Sequence, residues 1–183
     1  MAVNALSIDT LDAWLPIPLA FPEGPWRDAD DWSDQVATVL PRGTGRAQFA
    51  QALRELQAVV PPLPGAQARM LWLGELERPQ LAHVYVSPGS DEVDDLTALA
   101  DAGLGFFVQT VTRTDVEGYD RAIHAVLTGD EQEPVVSARW IGDQSGMLVV
   151  VDLVTFEPGM LALAADDLRD LFQAVRLVTA PPD

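Results

Sequence analysis

A chain of 183 residues with 48% hydrophobic content has enough apolar surface for one globular domain, and at this length roughly 70% of the surface exposed by the unfolded chain can be buried. With no cysteine, disulfides, thiolate nucleophiles and zinc–cysteine sites are excluded by inventory. The 28 acidic residues outnumber 11 basic ones for a formal charge of −17, and every basic residue is arginine, which removes lysine Schiff-base chemistry, lysine-dependent phosphate loops and a cationic face for nucleic acid.

Residues 1 to 25 carry Pro16, Pro18, Pro22 and Pro25 among apolar side chains, with Leu15, Ile17, Leu19 and Phe21 alternating. Proline fixes φ and removes a donor, so this stretch reads as an extended arm or edge strand. It has no positively charged leader and its apolar run is broken by prolines, so neither a secretory signal nor a membrane span is expected and the cytoplasm is the default location. Residues 26 to 62 read as helical. In "WRDADDWSDQ" the aspartates precede Trp32, Val36, Val39 and Leu40 at helical spacing, so Asp28 or Asp30 should cap a helix whose acidic first turn complements the dipole. A calcium loop would need ligands at alternating positions and a glycine at the sixth, which this stretch lacks. The next helix runs from Thr44 as N-cap through Phe49, Leu53, Leu56 and Val60 to Pro61 and Pro62. Its entrance, Arg42-Gly43-Thr44-Gly45-Arg46, could offer backbone N–H groups and two guanidiniums to an anion.

From Arg69 the period becomes that of strands. "ARMLWLGELE" and "LAHVYVSP" form a hairpin about Arg78 and Pro79, with Ala82, Val84 and Val86 on one face and His83 and Tyr85 on the other. "SPGSDEVDDLTALADAG" reads as a helix capped by Ser90, with Val93, Leu96 and Leu99 or Ala100 inward, and "LGFFVQTVTR" as a strand. "TDVEGYDRAIHAVLTGD" fits both periods; strand is preferred over helix because Gly118 is a poor helix interior and "TGDEQE" then makes a hairpin loop. "PVVSARWIG" and "MLVVVDLVTF" are paired strands about Asp143 to Gly146, followed by the helix "ADDLRDLFQAVRLV". The whole is expected to be one α+β domain: a mainly antiparallel sheet of successive hairpins over residues 67–178, with N-terminal helices and a C-terminal helix packed on it.

The hairpin register decides which polar residues meet. Pairing Gly142 with Met147 puts Ser137 opposite Asp152 with Arg139 diagonal to it, on the face opposite Trp140, Val149 and Val151. Pairing Leu127 with Pro134 then adds His124 to the row. The row has the composition of a catalytic triad. Ser137, however, lies mid-strand in "VVSARWI" without a strained elbow or free oxyanion donors, so no catalytic residue is assigned; the row is read as a structural histidine beside an Arg139–Asp152 ion pair, with His124, Ser137, Arg139 and Asp152 as a candidate ligand-binding group in the alternative. His83 and His124 share no metal-binding spacing, and neither a metal nor a cofactor is expected.

The order of elements over residues 67–178, ending in "DDLRDLFQAVRLV" and a short final strand, resembles the Mog1/PsbP-type α/β/α sandwich proteins of actinobacteria. That resemblance implies a binding or accessory factor. The charge, the abundant tryptophan and the missing catalytic motifs favour a non-catalytic adaptor, chaperone or regulator whose protein partner presents a basic surface, with neither nucleic acid nor membrane bound. The alternative is a small-molecule binder or enzyme with a pocket between sheet and helices.

Overall fold

The computed structural model describes residues 3–9, 11–39, 45–75, 78–89, 95–101, 105–129 and 135–179. The chain forms two compact units, Met1–Ile17 with Gly65–Asp183, and Pro18–Pro64. In the second unit α1 (Ala29–Val36) is followed by a 3-10 turn, Ala37–Val39, and by α2 (Gly45–Val59). Asp28 is the N-cap, its Oδ1 accepting from Asp31 N–H at 2.8 Å, so the acidic run satisfies a helix end as its spacing predicts. Arg54 of α2 reaches back to Asp30 at 2.8 Å and to Asp34, tying the two helices together with their own charges. Trp32, Val36, Ala50 and Leu53 are buried, while Phe49 and Leu56 are only half-buried. The expected N-cap Thr44, and Leu40, lie outside the described residues.

The first unit is α+β. Its strands are β1 (Val3–Ile8), β2 (Trp14–Pro16), β3 (Ala68–Trp72), β4 (Gln80–Pro88), β5 (Phe107–Thr114), β6 (Arg121–Thr128), β7 (Val136–Gln144), β8 (Met147–Thr155) and β9 (Val175–Thr179), with α3 (Pro158–Ala174) before the last. Seven strands form an antiparallel sheet in the order β2-β3-β4-β8-β7-β6-β5, and β1 pairs with β9 in a separate ribbon. The ambiguous segment is a strand, β6. The proline-rich arm supplies the edge strand expected of it, β2 pairing with β3, while β1 pairs with the final strand.

One face of the sheet carries Met70, Trp72, Ala82, Val84, Trp140, Val149, Val151 and Leu153, packed with Met160, Ala164, Leu168, Leu171 and Phe172 of α3. Two indoles fix that helix: Trp14 Nε1 donates to the Asp167 carbonyl at 2.9 Å and Trp72 Nε1 to Asp167 Oδ2 at 2.7 Å. Phe172 also stacks on Tyr119 and Trp140, and the absence of a side chain at Gly142 admits these rings, because a Cβ there would fall 2.7 Å from Phe172 Cζ. On the other face Ile123, Ala125, Leu127 and Ile141 meet Leu96 and Ala100. The helix expected there is, over its described part, a 3-10 turn, Leu96–Leu99, capped by Asp95 rather than Ser90; Ser90 and Val93 lie outside the described residues.

The β7–β8 register differs from the expected one by two residues. Gln144 pairs with Met147 because Ser145 and Gly146 both take positive φ, 55° and 78°, and close a two-residue turn. Asp143 Oδ1 accepts from Gly146 N–H at 3.0 Å and Asp120 Oδ2 from Ser145 N–H at 3.2 Å, holding that turn. An even shift leaves each side chain on its expected face. Val151 is fully buried between Val84 and Trp140. Val151→Ala should therefore cost about 1 to 3 kcal/mol, read as a lowered denaturant midpoint at unchanged m-value; an unaltered midpoint would show that this face is not the core.

Candidate functional site

Arg139 and Asp152 stand directly opposite each other on β7 and β8, not diagonally. Arg139 Nε and Nη2 donate to the two carboxylate oxygens at 2.6 and 2.8 Å, and both residues are buried. The third nitrogen, Nη1, donates to Ala100 O at 3.2 Å and Leu99 O at 3.4 Å, so the same guanidinium satisfies carbonyls at the end of the 3-10 turn. The planar fork of arginine supplies both functions at once.

The row continues in the direction away from His124. Asp152 pairs across strands with His83, and His83 with Arg69, so Arg69, His83, Asp152 and Arg139 form a polar line across β3, β4, β8 and β7. All four are at least nine-tenths buried, with relative exposures of 1%, 7%, 3% and 5%. Burial lowers the pKa of Arg69. Burial, helped by the positive charge of Arg69, pushes His83 down to about 4, so its imidazole is neutral at physiological pH. The Nε2 atom of that ring has no hydrogen-bond partner among the described residues. Tyr85, on the same face, has its phenol pKa raised by burial and then by the Asp152 carboxylate. The sequence puts His83 on one face of a strand; its place in the row follows from the β4–β8 register, which no local pattern shows.

His124 does not join the row. It pairs with Trp140, and Leu127 pairs with Ser137, a shift of three residues from the expected register. An odd shift moves a side chain to the other face, and the His124 ring stacks on Trp140 at 4.7 Å there, with burial lowering its pKa. Ser137 shares the face of Arg139 but pairs with Val154, not Asp152, and its fully buried Oγ has no hydrogen-bond partner among the described residues. Serine, histidine and carboxylate are therefore not convergent, and the geometry lacks the nucleophile–base contact of acyl transfer. At the proposed anion loop, Arg42, Gly43 and Thr44 lie outside the described residues. Gly45 opens α2, and Arg46 Nη2 donates to Thr38 O at 2.8 Å. Among the described residues no three His, Asp or Glu side chains are grouped to hold a metal.

A cavity of about 530 Å³ lies elsewhere, at the end of the β5–β6 hairpin. Its lining includes Asp95, Arg113, Asp115, Asp120 and Arg121. Arg113 pairs with Asp95 at 3.2 Å and Arg121 with Asp143 at 2.9 Å. Asp115 and Asp120 are exposed there. The cleft is thus lined by charge on an open surface, whereas the row is enclosed.

These features define an α+β protein with an antiparallel sheet and a buried polar line. No protein-family model matches the chain. No curated protein matches it either. Among solved structures, the solution structure of cyanobacterial PsbP (CyanoP) from Synechocystis sp. PCC 6803 is similar, with a TM-score of 0.44 and 13% identity over 66% of this chain and 79% of that one.

Two outcomes follow from the row. Asp152→Ala leaves a buried guanidinium without its carboxylate and should cost about 3 to 5 kcal/mol, whereas Arg139→Met combined with Asp152→Leu should recover much of that loss. Denaturant midpoints of the single and double variants check this, and purely additive losses would contradict it. For His83 the folded pKa lies below its unfolded value of 6.5. Its contribution is accordingly complete above pH 6.5 and is lost as pH falls toward 4. Between pH 7 and 5, above the carboxylate range, His83→Gln should flatten the decline in stability relative to the wild type; parallel curves would show that the imidazole is protonated without penalty.

Proposed function

We propose that this chain is a non-catalytic accessory protein that binds a partner protein through a basic surface of that partner. The observation carrying this reading is the disposition of the cations. Arg27, Arg54, Arg78, Arg113, Arg121 and Arg139 are each already paired with a carboxylate of the same chain. The chain carries a formal net charge of −17, and Asp115, Glu117 and Asp120 are among the acidic side chains exposed to solvent. Such a field repels phosphate backbones and anionic lipid and accelerates encounter with a cationic surface. The buried line of Arg69, His83, Asp152 and Arg139 serves rigidity in this reading, since its charges are enclosed and the Arg139 fork is occupied.

The test is kinetic. A partner recovered by crosslinking from the native source should show an association rate that falls at least about tenfold between low salt and 0.5 M sodium chloride, while dissociation changes much less. An association rate insensitive to salt, or preference for duplex DNA over protein at physiological salt, would refute the electrostatic reading.

A further inference from the structure

The charge reading does not say where a partner docks; the sheet edges do. The two edges of the seven-stranded sheet differ. On one side stands β2, three residues long and ending in Pro16, a blunted edge of the kind that discourages pairing. On the other stands β5, eight residues of sequence FVQTVTRT, hydrogen-bonded among the described residues to β6 alone. Its residues are rich in β-branched and aromatic side chains and carry one charge, Arg113. Phe107 is 61% and Val108 41% exposed, and every side chain from Phe107 to Thr110 faces solvent. The pairing of β5 with β6 is irregular between Val108 and Thr110, so the regular edge runs from Thr110 to Thr114; over those residues alternate N–H and C=O groups turn outward, a template for another strand.

The far end of β5 says what kind of strand. Arg113 and Thr114 run into the open cleft of about 530 Å³. Within it, Asp95, Asp115 and Asp120 outnumber Arg113 and Arg121, and Arg121 is further matched by Asp143 outside the lining. A cationic side chain would find there the carboxylates Asp115 and Asp120, both exposed. A second copy of this chain would bring another −17 to the same place. Like charge opposes that pairing, and an arginine- or lysine-bearing strand does not meet the opposition.

We infer that β5 is a docking edge at which an extended, basic segment of a partner protein adds as an eighth strand, its backbone pairing with β5 and a cationic side chain entering the cleft at Asp115 and Asp120. Main-chain hydrogen bonds supply affinity in this mode, and alternate side chains supply selectivity. The inference rests on the proposed binding of a basic partner and assigns it a place and a geometry.

The probe is a synthetic octapeptide alternating arginine with valine and threonine, titrated into the full chain by calorimetry and by amide chemical-shift mapping. Saturable binding is expected, with shifts concentrated on residues 107–114. Methylating alternate peptide nitrogens, on either of the two sets, leaves charge unchanged and should weaken binding at least about tenfold for one set. On the protein, Val111→Pro and Thr112→Pro alter adjacent positions, of which one turns its N–H outward. The variant that retains the wild-type circular dichroism should lose about tenfold in affinity. Asp115→Asn with Asp120→Asn should weaken the arginine peptide and leave a glutamine-for-arginine peptide unaffected. If both methylated peptides bind as tightly as the parent, charge attraction survives and strand addition is refuted. Absence of binding at millimolar peptide refutes the docking edge outright. A dimer in sedimentation that the proline variant dissolves would assign the edge to a second copy and overturn the inference equally.

Discussion

The structure of the sheet depends on one buried ion pair, Arg139 with Asp152. Two charges removed from water repay their desolvation only when geometry is good and the remaining donors find acceptors. Here the carboxylate takes two guanidinium N–H groups and the third nitrogen meets the carbonyls of Leu99 and Ala100. A slip of β7 against β8 by two residues would keep the faces but separate the pair, leaving two buried charges without compensation. The pair thus selects one register among those the apolar pattern tolerates. It also fixes the 3-10 turn whose Leu96 and Ala100 cover Ile123, Ala125, Leu127 and Ile141.

The opposite face is held by aromatic rather than ionic contacts. Asp167 of α3 receives both the Trp14 and the Trp72 indole N–H, so a strand at the edge and the one beside it set the position of the helix. Tyr119, Phe172, Trp140 and His124 continue as a chain of stacked rings over the neighbouring strands. Tyr119 Oη donates to the Phe172 carbonyl at 2.8 Å, and burial raises its pKa, so the phenol stays protonated. Histidine serves as a flat, neutral ring in this setting.

Three physical roles recur among the described aspartates. Asp28 and Asp95 cap helical turns, as their exposed backbone N–H partners require. Asp152 and Asp167 are internal acceptors that fix register and helix position. Those that remain at the surface, such as Asp115, give the molecule its field. Asp115 lies at the end of β5, the strand at one edge of the sheet.

How far the sequence alone could be read follows from these roles. Period-two alternation marked the strands β3, β4, β7 and β8, and the 3.6-residue period the helices containing Trp32, Leu53 and Leu168, because burial of one face is a local, periodic demand; β6 fits both periods, and it was Gly118 and the following hairpin loop that favoured a strand. The face shared by Trp140, Val149 and Val151 was legible for the same reason and survived a two-residue error in register. The place of His124 was not, since a three-residue difference across the β6–β7 connection moved it to the other face, away from Ser137. Nor could the sequence place His83 and Arg69 beside Asp152, pair β1 with β9, or join Trp14 and Trp72 to Asp167. Each of these contacts joins segments far apart in the chain, and the pairing of distant strands is decided by turn geometry, by the satisfaction of buried charge and by packing of the assembled layers. Sequence determined the elements and which face of each is apolar; only the tertiary structure decided which polar groups meet, because a shift of one residue in a strand costs nothing locally and changes every partner across it.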